Sequence, residues 1–146
     1  MNFQDVKEFL ENVPDIHCGG CGISAISMIL WKEKYWNIDR RNVWFVLNYG
    51  EHGWGYEENS TALSTGKPEE LIIPSHIGIL EETYDEGKAV FYDCVTKQET
   101  DCFHLVDFST LTIMVKNRGE WNECFDRNIW VPIIQDKLGI DLSLIN

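Results

Sequence analysis

Residues 18–36 read CGGCGISAISMILWKEKYW and are the most informative stretch of this sequence. From Cys21 to about Trp36, large apolar residues interleave with glycine, alanine and serine, so a helix here is apolar or small on nearly every side. A helix without a polar face is usually buried in the core. We therefore expect a central, buried helix that begins at Cys21.

The two glycines before Cys21 place its thiol at the N-terminus of this predicted helix. The first backbone N–H groups of a helix have no partners within it, and the helix dipole makes this end partly positive. Both effects stabilise a thiolate. The dipole is worth only roughly 0.3–2 kcal/mol, so a well-populated thiolate also requires a protonated imidazole nearby. The same N–H groups can help to bind the oxyanion that forms when a thiolate attacks a carbonyl carbon.

Two further helices are expected in the first third of the chain. Apolar residues recur at helical spacing over residues 3–13, and Pro14 ends that helix. A third helix is expected to begin at Asn37 or Asp39 as N-cap and to end at Gly50.

Strand patterns dominate the second half of the chain. They occur at residues 71–73, 76–80, 89–92 and 111–115. Residues 84–87 are polar and predict a turn between the second and third of these strands, and residues 121–129 predict a short helix. Because helices precede strands, the order favours an α+β fold over a doubly wound parallel sheet.

Residues 51–68 have neither helical nor strand periodicity and are rich in Gly, Ser, Thr and Asn. We expect a long loop, which in a compact domain is often functional. Because this loop directly precedes the strands around residue 76, it is expected to border the same cleft. Its aromatic residues Trp54 and Tyr56 either line that cleft or only fasten the loop to the core.

Four histidines are candidates for the imidazole beside Cys21. His76 opens a predicted strand, and a rigid sheet can hold such a side chain against a helix terminus, so His76 is favoured. His17 is close to Cys21 along the chain and is better placed for Cys18, and His52 lies in the predicted loop. His104 is the main rival.

Asp93 is the candidate carboxylate that orients His76. With a two-residue turn centred between Tyr84 and Asp85, His76 lies directly opposite Asp93 on the neighbouring strand. If the turn is centred one residue later, the two are diagonal neighbours on one face, which is also within reach. A half-step in the register places them on opposite faces of the sheet.

These residues resemble a known family. The string CGISAISMIL from Cys21 to Leu30 resembles the segment that opens the central helix in papain-like peptidases of the bacteriocin leader-processing type. CGGC at residues 18–21 is similar to the Cys-Gly-Ser-Cys of papain, HIGIL at 76–80 to the strand that carries the catalytic His, and Tyr92-Asp93-Cys94 to the strand that ends in Asp. The resemblance covers about residues 15 to 95.

The resemblance implies a papain-like fold, in which an N-terminal helix carrying the cysteine packs on an antiparallel sheet. It also implies catalytic roles for Cys21 as nucleophile, His76 as base and Asp93 as orienting residue. One departure concerns the oxyanion donor, since the family has Gln six residues before the nucleophile and this chain has Asp15, which cannot donate when ionised. Asn12 stands six residues before Cys18, so Cys18 is the alternative nucleophile.

Composition narrows the class of protein. With 146 residues, 44% of them hydrophobic, the chain can bury a core, and we expect one domain over residues 1–146. Twelve Lys and Arg against 24 Asp and Glu give a formal net charge of -12, which disfavours nucleic acid and anionic membranes as partners. The acidic surface favours solubility and hints at a basic partner or peptide substrate.

Five cysteines do not form the even framework of a small secreted scaffold, which favours a reducing compartment. The N-terminus has acidic residues and lacks the basic segment and apolar run of a signal peptide, and no stretch approaches ~18 consecutive apolar residues. A cytoplasmic location is therefore expected.

The sequence thus predicts a thiol-dependent hydrolase or acyltransferase that needs no cofactor or metal and acts on a peptide, amide or other acyl substrate through an acyl-enzyme. Three alternatives remain open. Cys18 and Cys21 have the CxxC spacing of dithiol redox enzymes, and zinc ligation by these two with two of Cys94, Cys102, His17 or His104 is conceivable. The third is a non-catalytic acidic binding or inhibitor protein on a papain-like fold.

Overall fold

A computed structural model describes residues 1–84, 86–117 and 124–146 of the protein. These residues contain five α-helices and one five-stranded sheet in which all neighbouring strands are antiparallel. The α+β prediction is confirmed. None of the helices in these residues has both the length and the apolar character needed to cross a membrane.

Two helices open the described part of the chain and two helices close it, with the strands and one further helix between them. The helices are α1 Phe3–Glu11, α2 Cys21–Trp36, α3 Glu58–Thr65, α4 Phe108–Asn117 and α5 Arg127–Leu138. The strands are β1 Trp44–Asn48, β2 His76–Thr83, β3 Ala89–Tyr92, β4 Lys97–Thr100 and β5 Phe103–Asp107. Short 3-10 helices lie at Arg40–Asn42, Pro68–Glu70 and Ser143–Ile145.

Helix α2 has the bounds predicted from its composition and is central to the main hydrophobic core. Every residue from Gly22 to Trp31 is buried. The hydroxyl of Ser27 donates to the carbonyl of Ile23 at 2.7 Å, so this small polar side chain is satisfied within the helix. At the other end the chain leaves the helix through Asn37 in the left-handed conformation, φ 57°.

The sheet has the strand order β4-β3-β2-β1-β5. Phe45, Leu47, Ile77 and Ile79 belong to the main core together with α2. A second, smaller cluster contains Val46, Ala89 and Phe91, whose side chains alternate with core residues along the strands. The sheet therefore buries side chains on both faces, and α2 packs on one of them.

The β2–β3 hairpin contains a β-bulge that decides where Asp93 lies. Near the turn Thr83 pairs with Ala89, whereas farther along Leu80 pairs with Phe91, because one extra residue is accommodated between Leu80 and Glu82. Continued past Tyr92, the second register places Asp93 diagonal to His76 on the same face. Without the bulge, the register near the turn would put Asp93 on the opposite face.

Two predicted elements have the wrong type. The expected third helix is instead the 3-10 turn Arg40–Asn42 followed by β1, because the run of aromatic and β-branched residues at 43–47 pairs with β2 on one side and β5 on the other. The expected strand at 111–115 lies in α4. Its residues Phe108, Leu111 and Val115 recur at helical spacing and face the core.

Other differences concern connections and missed strands. The expected loop at 51–68 contains α3, whose Asn59 and Ala62 are buried, and residues 71–73 lack strand structure. β4 and β5 were not predicted, since β4 is polar and both strands are only four or five residues long, which gives a weak strand signal. The expected helix at 121–129 corresponds only to the beginning of α5 at Arg127, and residues 121–123 lie outside the described part.

Candidate active site

Cys21 is the first residue of α2, directly after the N-cap Gly20. A Cβ atom at Gly20 would lie 2.8 Å from the carbonyl oxygen of Ile16, so the close approach of the preceding turn requires glycine. Because Gly20 has no side chain, no side-chain cap occupies the first turn. The thiol of Cys21 is partly exposed and lies beside the free end of a 16-residue helix.

His76 is the first residue of β2 and pairs with Asn48 at the end of β1. Its Nε2 atom lies 2.9 Å from Oδ2 of Asp93, and its side chain is 14% exposed. The Cys21 thiol also interacts electrostatically with His76 and raises the pKa of its ring. Because Nε2 is engaged by Asp93, Nδ1 is the ring nitrogen available to the thiol. The structure thus joins His76 to Asp93 by a hydrogen bond and places Cys21 where its thiol acts on the His76 ring.

Asp93 follows β3 directly and accepts hydrogen bonds at both carboxylate oxygens. Oδ1 accepts from the backbone N–H groups of Val95 and Thr96, each at 2.7 Å. Oδ2 accepts from the side-chain amide of Gln98, also at 2.7 Å, and faces His76. The carboxylate is thereby fixed by the turn into β4, with Oδ2 held within hydrogen-bonding distance of the imidazole.

The electrostatic environment favours a charged pair of His76 and Asp93. Burial lowers the pKa of His76, but the hydrogen bond to Asp93 and the interactions with the Cys21 thiol and the Asp93 charge outweigh burial and raise that pKa to about 9. Burial likewise raises the pKa of Asp93, but hydrogen bonds from His76, Thr96 and Val95 outweigh it and hold that pKa well below its usual range. We infer that His76 is an imidazolium near neutral pH.

This pair predicts a pH dependence of folding stability. Since the pKa of His76 is raised from 6.5 to about 9, its contribution is fully present below about pH 6.5 and is lost as the pH rises through 9. Asp93 has the opposite dependence, with its contribution lost only in strong acid. Relative to His76→Gln, wild type should lose on the order of 3 kcal/mol of unfolding free energy as the pH rises past 9.

Urea denaturation of both proteins across this pH range measures the difference. Asp93→Asn is the matched variant, because it removes the main partner of His76 and should remove most of the same pH dependence. A difference between wild type and His76→Gln that stays constant from about pH 6 to pH 10 would show that His76 and Asp93 do not form a charged pair.

Cys18 forms a disulfide with Cys124, 106 residues farther along the chain. The proposal of Cys18 as alternative nucleophile is therefore wrong for this structure, because a bonded sulfur has no thiolate. The same bond removes the CxxC dithiol pair and the zinc set built on Cys18. Cys21, Cys94 and Cys102 are free thiols. Disulfides persist mainly in oxidising compartments, and the expected cytoplasmic location stays a prediction.

His17 also lies beside the site, which its position close to Cys21 in sequence does not predict. Its ring centroid is 6.1 Å from that of His76, and its Nε2 atom is 3.7 Å from the sulfur of Cys94. His17, His76 and Asp93 each offer a ligand atom, and these atoms lie within 4.8 Å of one another. They are the described residues that could hold a metal ion, and the expectation of no metal stays a prediction.

The other histidines have different surroundings. The ring of His104 stacks on Tyr56 with centroids 4.6 Å apart, and its Nε2 atom contacts the backbone oxygen of Tyr56. His104 and Tyr56 thus fasten the segment before α3 to β5. His52 is exposed, and Trp54 is 68% exposed.

A small cavity of about 140 Å³ lies next to Cys21. It is lined by the first turn of α2, by residues 73–75 before β2, and by His17, Gly19, Ile77 and Val115. Residues 51–68 do not line it, so the prediction that this segment borders the cleft is wrong for this cavity. After α3 come the 3-10 turn Pro68–Glu70 and then residues 73–75, which do line the cavity.

Neither residue considered as an oxyanion donor is placed for that role. Asp15 is exposed, with φ 59°, and the side-chain amide of Asn12 donates to the carbonyl of Glu8 at 2.7 Å. The backbone N–H groups in the first turn of α2, which begins at Cys21, remain as candidate oxyanion donors.

No protein-family model, curated protein or solved structure matches this chain.

Proposed function

We propose that this protein is a papain-like thiol hydrolase of the peptidase or amidase type, with Cys21 as nucleophile, His76 as acid and base, and Asp93 as the residue that orients His76. The observation that carries the proposal is the hydrogen-bonded pair His76–Asp93, whose imidazole interacts electrostatically with Cys21 at the N-terminus of a buried helix, beside a cavity. In this proposal α2 supplies the thiol, β2 supplies the imidazole, and the residue after β3 supplies the carboxylate.

The papain-like part of the proposal is supported by the order Cys, His, Asp along the chain. It is also supported by the packing of the cysteine helix on an antiparallel sheet. A hydrogen bond between Asp93 and Nε2 of His76 leaves Nδ1 for the thiol, which fixes the tautomer that the neutral ring must adopt.

The reaction begins when the Cys21 thiolate attacks the carbonyl carbon of a substrate. A carbon–sulfur bond forms, and the electron pair of the carbonyl moves to oxygen, where backbone N–H groups in the first turn of α2 stabilise the negative charge. As the tetrahedral intermediate collapses, the bond to the leaving amine or alcohol breaks, and the His76 imidazolium donates its proton to that group. The product of this half is an acyl-enzyme at Cys21.

The second half returns the enzyme to its first state. Neutral His76 takes a proton from water, the resulting hydroxide attacks the thioester carbon, and the carbon–sulfur bond breaks with release of a carboxylic acid. An amine in place of water gives acyl transfer. Asp93 keeps the ring oriented and stabilises the imidazolium that is present at the start of each cycle.

Acyl-enzyme trapping tests this proposal. A short incubation with p-nitrophenyl acetate should release nitrophenolate and add one acetyl group to Cys21, detected by intact mass and peptide mapping. Cys21→Ala should abolish the acetylated species, whereas Cys102→Ala, which removes another partly exposed thiol, should retain it. Acetylation that persists in Cys21→Ala, or that never reaches Cys21, would refute the catalytic role and favour a non-catalytic acidic binding protein.

A further inference from the structure

The cavity beside Cys21 has an apolar interior. Ile23, Ile77 and Val115 line it and are each less than a tenth exposed, whereas Ile73 and His17 lie on its solvent side. Pro74 adds a further buried apolar surface from the segment before β2. The cavity thus leads from the exposed side of the thiol towards the contact between α2, β2 and α4.

The described lining of the cavity contains no oppositely charged side chain that could pair with a charged ligand group. Among the described residues that line the cavity, none is Asp, Glu, Lys or Arg, and the titratable ones are His17 and Cys21. A charged side chain placed there would lose hydration without gaining a partner, which is costly. An aliphatic group would instead exchange water for apolar contacts.

The size of the cavity limits its occupant. Its volume of about 140 Å³ is close to that of an apolar cavity of roughly 150 Å³ that binds benzene in another protein. A branched chain of four carbon atoms fits such a volume. Gly22 contributes to this space, because a Cβ atom there would lie 2.8 Å from Cγ2 of Val115 and 3.4 Å from Cδ1 of Ile77.

We propose that this cavity binds a compact, uncharged aliphatic group on the acyl side of the substrate, of the size of a leucine side chain. The inference rests on the proposed function, since the group is placed there when its carbonyl is attacked by Cys21. Val115 sets the depth of the cavity because it faces the first turn of α2 from α4.

A matched series of p-nitrophenyl esters tests the proposal. Acylation of Cys21 by the isovalerate, acetate and succinate esters is followed by nitrophenolate release and intact mass, and each rate is divided by that of N-acetylcysteine with the same ester. Isovalerate should exceed acetate by about tenfold or more, as expected for burial of an aliphatic group. Succinate, which carries a carboxylate at similar length, should not exceed acetate.

Variants of Val115 provide a second test of whether the cavity binds the acyl group. In Val115→Phe the isovalerate-to-acetate ratio should fall towards one, because the ring fills the cavity. Val115→Ala should shift the preference from isovalerate to the longer caproate ester. Ile133→Phe, an aliphatic-to-aromatic change at a 41% exposed position on α5, is the matched control and should keep the wild-type ratio. Circular dichroism checks that each variant is folded.

The outcomes separate this proposal from the proposed function. If Cys21 is acylated but the corrected ratio of isovalerate to acetate is one in wild type, or if the ratio survives in a folded Val115→Phe variant, the cavity does not bind the acyl group and only this inference fails. If none of the esters acylates Cys21, the proposed function fails and this inference fails with it.

Discussion

Replacement of His76 by glutamine is expected to slow the alkylation of Cys21 by iodoacetamide at about pH 6 by tenfold to a hundredfold. His76 has a raised pKa of about 9 and interacts electrostatically with Cys21, so at this pH we expect an imidazolium that would stabilise a Cys21 thiolate. Glutamine retains a hydrogen-bond donor but has no charge. An ordinary thiol, with a pKa of ~8.5, is only about 0.3% ionised at pH 6.

The rate is measured by quenching the reaction at intervals and quantifying the Cys21 peptide by mass spectrometry. His52→Gln is the matched control, because it makes the same change at an exposed histidine that does not line the cavity. An unchanged rate in a folded His76→Gln variant would mean that His76 does not activate the thiol.

Loss of the disulfide between Cys18 and Cys124 should have the largest effect on folding stability. The bond joins residues 106 positions apart. A cross-link that closes a loop of this length lowers the conformational entropy of the unfolded chain substantially. Cys124→Ser should therefore lower the free energy of unfolding by about 2–5 kcal/mol. Because Cys18 is three residues before Cys21, the variant should also loosen the segment that leads into α2.

Urea denaturation of Cys124→Ser and wild type, each with and without reductant, measures this effect. Reductant should destabilise wild type to nearly the level of the variant and should have little effect on the variant itself. Cys102→Ser, which changes a free thiol, is the matched control. Equal stability of wild type and Cys124→Ser without reductant would contradict a structural role for the disulfide.

Helix α2 and the β2–β3 hairpin could be predicted because local composition determines them. A helix that is apolar on every side has few alternatives to burial, and two strand patterns around a polar turn define a hairpin. The type of β1 and α4 could not be predicted in this way. Both are short apolar runs, for which pairing partners and packing decide between helix and strand.

The candidate site was accessible to sequence reasoning only in part. Cys21, His76 and Asp93 could be named from their positions at the ends of predicted elements, but the register that places Asp93 beside His76 depends on a bulge that no residue type signals. Gln98 was missed because β4 was not predicted, although a Gln five residues after Asp93 could have suggested a second partner. The pairing of Cys18 with Cys124 cannot be deduced from spacing.

Site-resolved alkylation of the wild-type protein is the most direct test of Cys21 as an activated thiol. At about pH 6, iodoacetamide is expected to modify Cys21 well before Cys94 and Cys102. Burial raises the pKa of Cys94 to about 11, and partial burial and the charge of Asp101 raise the pKa of Cys102. Cys102 is the stringent comparison, because it is partly exposed like Cys21. Modification of Cys21 at or below the rate of Cys102 would contradict the account.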